Sequence, residues 1–402
     1  MKVGRQQIHD LPVNDVTTLG LVANQLQQEA EARGEPLPPP VRLQIGEPSF
    51  RTPEHISRAA IAAIEGEPLT YGPAAGWPWL RELLAAKIAR VNGYQVGPQQ
   101  TAIAMGGTGA LQIALFATVS TGDEVLMPNP GWPHYRMQIA ASGATAVPYP
   151  LDPQSAWLPD IAHLERLVTP RTRLLLINTP GNPTGAVFPA QLVADLLDFA
   201  RRHDLYLLSD ECYDEIVFEG RHISPATLLS AAELEAGRVI GIYTFSKTYA
   251  MTGWRIGYIV AGSQLIKTIT SVLDASYTNI STLVQRAAAA ALTGPQDCVA
   301  LMREAYRERR DLAVSLLKEH DRYLYTPHGA FYALLNVTGP GNATRGSRQF
   351  ALDLLHARNV AVASGSAFGS VATNYVRISL AASPDDIERG VREICAFAAS
   401  SL

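Results

Sequence analysis

Asn178-Thr-Pro-Gly-Asn-Pro-Thr-Gly185, Ser209-Asp-Glu-Cys-Tyr213 and Thr244-Phe-Ser-Lys-Thr-Tyr-Ala-Met-Thr-Gly-Trp-Arg-Ile-Gly257 are the stretches on which the reading of this chain turns. Each closes an apolar run: Arg173–Ile177, Leu205–Ser209 and Val239–Thr244. Between the first two runs, Gln191–Arg202 carries apolar residues at helical spacing. Short apolar runs separated by amphipathic helices predict strands joined by crossovers. Working outward, Thr101–Met105, Glu124–Met127, Thr145–Pro148 and Ile256–Val260 read as further strands, and Gly107–Thr118 as a helix entered through Gly106-Gly107. The expected fold class is α/β, with a mostly parallel central sheet covered by helices on both faces. Ligands of such sheets sit beyond the strand C-termini. Asn182, Asp210 and Lys247 fall there.

The tail differs. Asp297–His320 predicts a long charged helix, Gly329–Val337 and Asn374–Ser379 predict strands, and Ser347–Arg358 and Ser383–Ser400 predict helices. That mixture is an α+β module. Near the start, a helical segment at about Leu19–Arg33 is separated from Arg42-Leu-Gln-Ile45 by the stiff connector Glu35-Pro-Leu-Pro-Pro-Pro40.

The 402 residues are 47% hydrophobic and 17% charged, which suits a globular protein with a large core. The formal charge of −4 is spread without a basic stripe, so neither nucleic acid nor a membrane surface is an expected partner. Met1–Pro12 lacks the apolar core of a secretory signal, and Ala287–Leu292 is too short to span a bilayer. The odd set Cys212, Cys298 and Cys395 has no metal spacing and reads as reduced thiols in a cytoplasmic protein. Lysines are confined to Lys2, Lys87, Lys247, Lys267 and Lys318. All but Lys247 read as solvated surface residues.

Taken singly, the polar residues admit plain readings. Lys247 could be a surface lysine, Asp210 a helix cap, Trp132 a core residue, Gly106-Gly107-Thr108 an ordinary turn and Arg377 half of a structural ion pair. Together they resemble the class I/II aminotransferases, fold-type I pyridoxal-phosphate enzymes, over nearly the whole chain. In that family a Schiff-base lysine stands eight residues before an arginine that grips the cofactor phosphate, and Arg255 has that offset from Lys247. The resemblance implies pyridoxal 5'-phosphate as cofactor. Asp210 would pair with the pyridine nitrogen, and Asn182 and Tyr213 with the phenolate oxygen. Trp132 would stack on the ring, while Gly106, Gly107, Thr108, Thr244, Ser246 and Arg255 would cradle the phosphate. Tyr71 would reach the phosphate of a neighbouring subunit, which implies a homodimer with shared sites. Arg377 and the backbone of Gly46 would hold the substrate α-carboxylate, beside Trp132 and Asn182. The family also implies a large domain at 48–294 and a discontinuous small domain from 1–47 and 295–402.

The expected function is ping-pong transfer of an amino group between an amino acid and a 2-oxo acid. Lys247 would be both anchor and proton carrier. An alternative on the same scaffold is elimination or cyclisation, as in aminocyclopropane-carboxylate or capreomycidine synthases. A ligand-sensing regulator is the distant alternative. It would need a basic helix-turn-helix domain, for which the segment before Ile45 leaves no room. In an aspartate- and prephenate-using branch, a lysine follows the Gly-Gly pair and meets the distal carboxylate; here Thr108 stands there. Residues Arg5–Asp15 border the side-chain pocket in relatives but fit no specificity rule.

Overall fold

A computed structural model describes residues 15–34, 38–66, 68–339 and 346–400. Its strands are β1 (Val41–Arg42), β2 (Thr101–Ala104), β3 (Glu124–Asn129), β4 (Thr145–Asp152), β5 (Leu158–Pro159), β6 (Thr172–Asn178), β7 (Tyr206–Asp210), β8 (Val239–Thr244), β9 (Gly257–Val260), β10 (Tyr332–Asn336), β11 (Val360–Ala361), β12 (Ala363–Ser364) and β13 (Tyr375–Ser379). Eight of them form one sheet in the order β2-β9-β8-β7-β6-β3-β4-β5. Within it, β9 and β5 alone run against the rest. Strands β2, β3, β8 and β9 are buried at every residue. Unbroken apolar runs such as Ala102-Ile-Ala104 are what a sheet covered on both faces requires.

The helix Gly106–Thr118 packs on β8 and β9. Its entry is set by a backbone-to-backbone approach: a Cβ at Gly257 would lie 2.6 Å from the Tyr243 carbonyl oxygen and 2.8 Å from the Gly106 carbonyl carbon. Only a residue without a side chain lets the β2–helix turn close onto the end of β9.

Chain segments far apart in sequence share a second core. Leu19, Val41 and Leu43 pack with Tyr306, Leu317, Phe350, Leu354, Val376, Ile378 and Ile394. β13 is the centre of a three-stranded antiparallel sheet, β10-β13-β12, and β1 pairs in parallel with β11. The Ser379 amide donates to the Leu43 carbonyl at 2.7 Å, so the chain leaving β1 lies against the end of β13.

The expected helices and strands are present within four residues at their ends, and the α/β class with a mostly parallel sheet is correct. One expectation fails. Lys87 is not a solvated surface lysine but is 4% exposed. Its ammonium is paired with the Asp214 carboxylate, donates to Asn92 Oδ1 at 2.9 Å and lies 3.5 Å from Glu215. Burial pulls its pKa down, but Asp214 and Glu215 outweigh that and the net direction is up. Its neighbours in sequence, Ala85 and Ala86, gave no hint of carboxylates arriving from more than a hundred residues away. Lys267 and Lys318 are exposed as expected, and Lys2 lies outside the described residues.

Candidate active site

β7 delivers Asp210 at its C-terminal end, level with Asn178 of β6 and Ile242 of β8. The carboxylate is buried. Tyr135 Oη donates to its Oδ2 at 2.6 Å and the Cys212 amide donates to its Oδ1 at 3.1 Å. Burial pushes its pKa up, against the pull of those two hydrogen bonds. Asn178 sets the adjoining loop. Its Nδ2 donates to the Asp210 carbonyl at 3.0 Å, and its Oδ1 accepts from the Asn182 amide at 2.8 Å.

β8 delivers Lys247. Thr244 caps the short helix Phe245–Thr248 by accepting from the Ser246 amide, and Lys247 projects from that turn. Its Nζ donates to the Gly46 carbonyl at 2.6 Å and lies 5.6 Å from the Phe331 ring centre and 6.0 Å from that of Tyr213. Among the described residues no carboxylate pairs with it. Tyr213 and Tyr332 join hydroxyl to hydroxyl at 2.9 Å, and burial holds the Tyr213 phenol well above its ordinary range.

An anion-binding corner forms where the β2–helix turn meets the end of β8. Gly107 and Thr108 open the helix Gly106–Thr118, whose free N–H groups and dipole favour a negative group. Thr244 Oγ1 lies 2.9 Å from Ser246 Oγ. Arg255 is exposed, with Nη1 on the Thr252 carbonyl at 2.9 Å, and no described carboxylate pairs with it. Gly106 has φ +67°, and a Cβ there would lie 2.9 Å from Arg255 Nη2. It supports the arginine rather than lining the cavity.

Arg377 sits mid-strand in β13 at 3% exposure, between Leu334 and Ala363. Nη1 donates to Asn182 Oδ1 at 3.0 Å and Nη2 to the Gln44 carbonyl at 2.6 Å, while Nε has no partner. Its carbon lies 4.3 Å from the Tyr332 ring centre and 4.9 Å from that of Phe368. Burial lowers its pKa, and no described carboxylate pairs with it. The structural ion-pair reading therefore fails. A buried guanidinium without a counter-charge is costly unless an anion arrives.

One cavity of about 480 Å³ gathers Gly46, Gly107, Thr108, Trp132, Asn182, Asp210, Tyr213, Thr244, Ser246, Lys247, Arg255 and Arg377. The separated motifs thus converge. Trp132 is stacked on His134, ring centres 4.3 Å apart, and presents its indole to the cavity. Tyr71 is 86% exposed and does not line the cavity of its own chain. Sequence reasoning missed Tyr135, Tyr332, Phe368, Asn178, Ile45 and Glu47, which also line it. A tyrosine three residues after Trp132 at a helix start was the one available signal for Tyr135. Residues 5–14 of the segment expected to border the side-chain pocket lie outside the described residues.

The donor set fits pyridoxal phosphate. A buried carboxylate, an amine without a carboxylate partner, a phenol with an amide, and an anion corner with an arginine lacking a carboxylate partner occupy one cavity. A second such arginine stands across it.

Comparison with known proteins agrees. The family model for aminotransferase class I and II matches residues 38–394. The aspartate/prephenate aminotransferase of Thermus thermophilus is 38% identical over 361 residues, covering 87% of this chain and 89% of that protein. A probable aspartate/prephenate aminotransferase of Thermus aquaticus is 37% identical over 356 residues, with the same coverage. Among solved structures, Thermus thermophilus aspartate aminotransferase with maleate superimposes with a TM-score of 0.90 at 34% identity, covering 99% of this chain and 100% of that one. An aromatic aminotransferase from Pyrococcus horikoshii gives 0.84 at 34% identity, covering 90% and 96%. These matches favour transamination over elimination or cyclisation. The chain belongs to the class I and II aminotransferases.

Proposed function

We propose that this aminotransferase uses pyridoxal 5'-phosphate to move an amino group between an amino acid and a 2-oxo acid, with the cavity between β7, β8 and β13 as its active site. The observation that carries the reading is the presence of Arg377, buried without a counter-charge, and Lys247, an amine with no carboxylate partner among the described residues, in one cavity that also holds Asp210. The first suits the α-carboxylate, with a fork that fits two oxygens at once. The second is the group that would bond the cofactor aldehyde.

When bound, pyridoxal phosphate supplies an electron-withdrawing ring that accepts the electron pair of the broken Cα–H bond. The side chains do the rest. Arg255, Thr244, Ser246 and the Gly107–Thr108 amides hold the phosphate, with Gly106 behind Arg255. Asp210 would favour a proton on the ring nitrogen, with Tyr135 and the Cys212 amide holding that carboxylate in place. Asn182 and Tyr213 donate to the ring oxygen, and Trp132 covers the ring. Arg377 and the Gly46 backbone orient the substrate so that its Cα–H faces Lys247. The Lys247 amine would take the Cα proton and return it to the cofactor's carbonyl carbon. Positioned proton transfer of this kind contributes roughly 10²–10⁴ in rate.

Two further elements belong to the proposal. The chain divides into a large domain, 48–294, and a small one from 1–47 and 295–402, a reading supported by the cluster that joins Leu19, Val41 and Leu43 mostly to residues beyond 295, apart from the clusters on the large sheet. It works as a cytoplasmic homodimer in which Tyr71 reaches the partner's phosphate. The high exposure of Tyr71, with that of Ile61, Ile64 and Leu69, supports a covering copy, and three free thiols suit a reducing compartment. No helix among the described residues is long and apolar enough to cross a membrane.

The test is chemical. Protein loaded with the cofactor and reduced with borohydride should carry the adduct on the peptide containing Lys247, and Lys247→Ala should carry none and turn over nothing. An adduct retained by that variant would refute the assignment. Names among the relatives cover both acidic and aromatic amino acids, so they leave the donor open.

A further inference from the structure

Two aromatic residues far apart in the chain face the one cavity. Trp132 presents its indole, and Phe368 has its ring centre 4.9 Å from the guanidinium carbon of Arg377. On the reading above, on which this inference rests, Trp132 covers the cofactor ring and Phe368 flanks the group that takes the α-carboxylate. Their relative position therefore helps to fix where the substrate Cα stands over Lys247. Neither lies within a strand. Trp132 follows the end of β3, and Phe368 sits in the loop between β12 and β13.

The two loops are joined directly. The Gly131 amide donates to the Phe368 carbonyl at 2.9 Å. Asn129, the last residue of β3, is 6% exposed and meets the same loop with both ends of its amide. Its Nδ2 donates to Ser370 Oγ at 2.9 Å, and its Oδ1 accepts from the Val371 amide at 3.3 Å. Val371 is the second residue of the short turn Ser370–Ala372, the place where a helical start has an amide that only a side chain can satisfy. The capping position of that turn is Gly369, which has no side chain to offer. Asn129 supplies the cap from the other loop. Gly369 in turn makes room for it: its φ is +139°, and a Cβ there would overlap Asn129 Oδ1. Asn129 does not itself line the cavity.

We propose that Asn129 is a positioning residue for the substrate: by capping the turn after Phe368 it holds the Phe368–Arg377 stack in register with Trp132, and so sets the α-carboxylate against the cofactor ring. On the domain division proposed above, this contact crosses from the large domain to the small one. Displacing reacting groups by about 1 Å costs up to about a hundredfold, so Asn129→Ala should slow reaction with amino acids by about tenfold or more. The loss should fall on the rate at saturation rather than on the half-saturating concentration, because Arg377 still binds the carboxylate but holds the Cα–H off its line to Lys247.

The experiment uses the cofactor-loaded full-length enzyme and two pairs of probes, phenylalanine with 2-phenylethylamine and aspartate with 3-aminopropionate. Within each pair the side chain is the same, and only the amino acid carries an α-carboxylate. The rate at which each changes the cofactor's visible absorption is followed in a single turnover, and cofactor affinity is measured separately by spectral titration. In Asn129→Ala the saturated rate with the faster amino acid should fall by about tenfold or more. Its partner amine and the cofactor affinity should each stay within about twofold of the parent, the spread of independent sites. Asn129→Asp, whose carboxylate can accept from both the Val371 amide and the Ser370 hydroxyl, should recover most of the lost rate. Gly369→Ala is then made in the parent and in Asn129→Ala. The strain of a positive φ is common to both, but the overlap with Oδ1 exists only in the parent, so the substitution should cost more there by about threefold or more. Equal loss with amino acid and amine would mark a merely structural bond and overturn the proposal, as would an equal cost of Gly369→Ala in the two backgrounds. A parent enzyme whose absorption responds to no amino acid would overturn the transaminase reading itself, and this inference with it.

Discussion

Arg377→Leu separates a substrate-binding role from a structural one. The substitution removes two donors that the structure sees engaged, to Asn182 Oδ1 and to the Gln44 carbonyl, and one, Nε, that has no partner. For a bound amino acid it removes both bonds of a charged fork. Hydrogen bonds to charged groups contribute about 1.5–3 kcal/mol each, so the pair is worth roughly 3–6 kcal/mol. At about 1.36 kcal/mol per decade, kcat/KM should fall by roughly 10²–10⁴. Folding stability responds differently. Two acceptors lose a donor, at about 1–3 kcal/mol each, but an unpaired buried charge disappears at the same time, and that relief is of comparable size. The cofactor-loaded variant should therefore keep a melting temperature close to the parent's. The assay compares an α-amino acid with an amine of the same side chain that lacks the carboxylate, both in single turnover. Loss confined to the amino acid supports the reasoning. Equal loss with both compounds, or an amino-acid loss under about tenfold, would refute it.

Three more outcomes follow from the geometry. Burial pushes the Asp210 pKa up, so the folded chain keeps a proton on it where the unfolded chain has lost it, and stability falls as pH rises through that window. Asp210→Asn should thus raise the melting temperature of the cofactor-free protein near neutral pH, with the gain vanishing below about 3.9, the ordinary carboxylate value; an unchanged gain at acid pH would contradict this. Lys87→Met leaves buried Asp214 and Glu215 without their cation and should cost about 3–5 kcal/mol in denaturant unfolding, towards the lower figure because Asn92 Nδ2 still donates to Asp214 at 2.9 Å. Adding Asp214→Leu should return part of the loss. Gly257→Ala places a Cβ against two backbone atoms that have no flexible end to yield, so it should lower both the melting temperature and the cofactor affinity measured by spectral titration.

What sequence revealed of the site follows a physical line. Lys247, Asp210 and Asn182 stand just past apolar strands, and strand ends in a parallel sheet converge by construction. Arg377 was legible because a charge inside Tyr375-Val-Arg-Ile-Ser379 contradicts its surroundings. Tyr332 escaped because a tyrosine in the apolar run Ala330-Phe-Tyr-Ala-Leu-Leu335 looks the same whether or not its hydroxyl meets Tyr213, and Tyr135, between His134 and Arg136, carries no local sign that its hydroxyl meets Asp210. Lys87 was misread for a related reason. Its carboxylates arrive from 127 and 128 positions away in the chain, and no local pattern carries that.

The two borders of the large sheet carry a consequence for association. At one border β5 is two residues long and ends in Pro159, which has no N–H to offer a newcomer. At the other, the outward groups of β2 are taken: the Ile103 amide donates to the Ala75 carbonyl at 2.9 Å, and Arg81 Nε donates to the Thr101 carbonyl at 2.9 Å. Neither border is an open template for strand addition, the usual route from a large sheet to fibrils. The large sheet therefore cannot be lengthened by a strand from a second copy at either border, whatever contacts copies make through other surfaces.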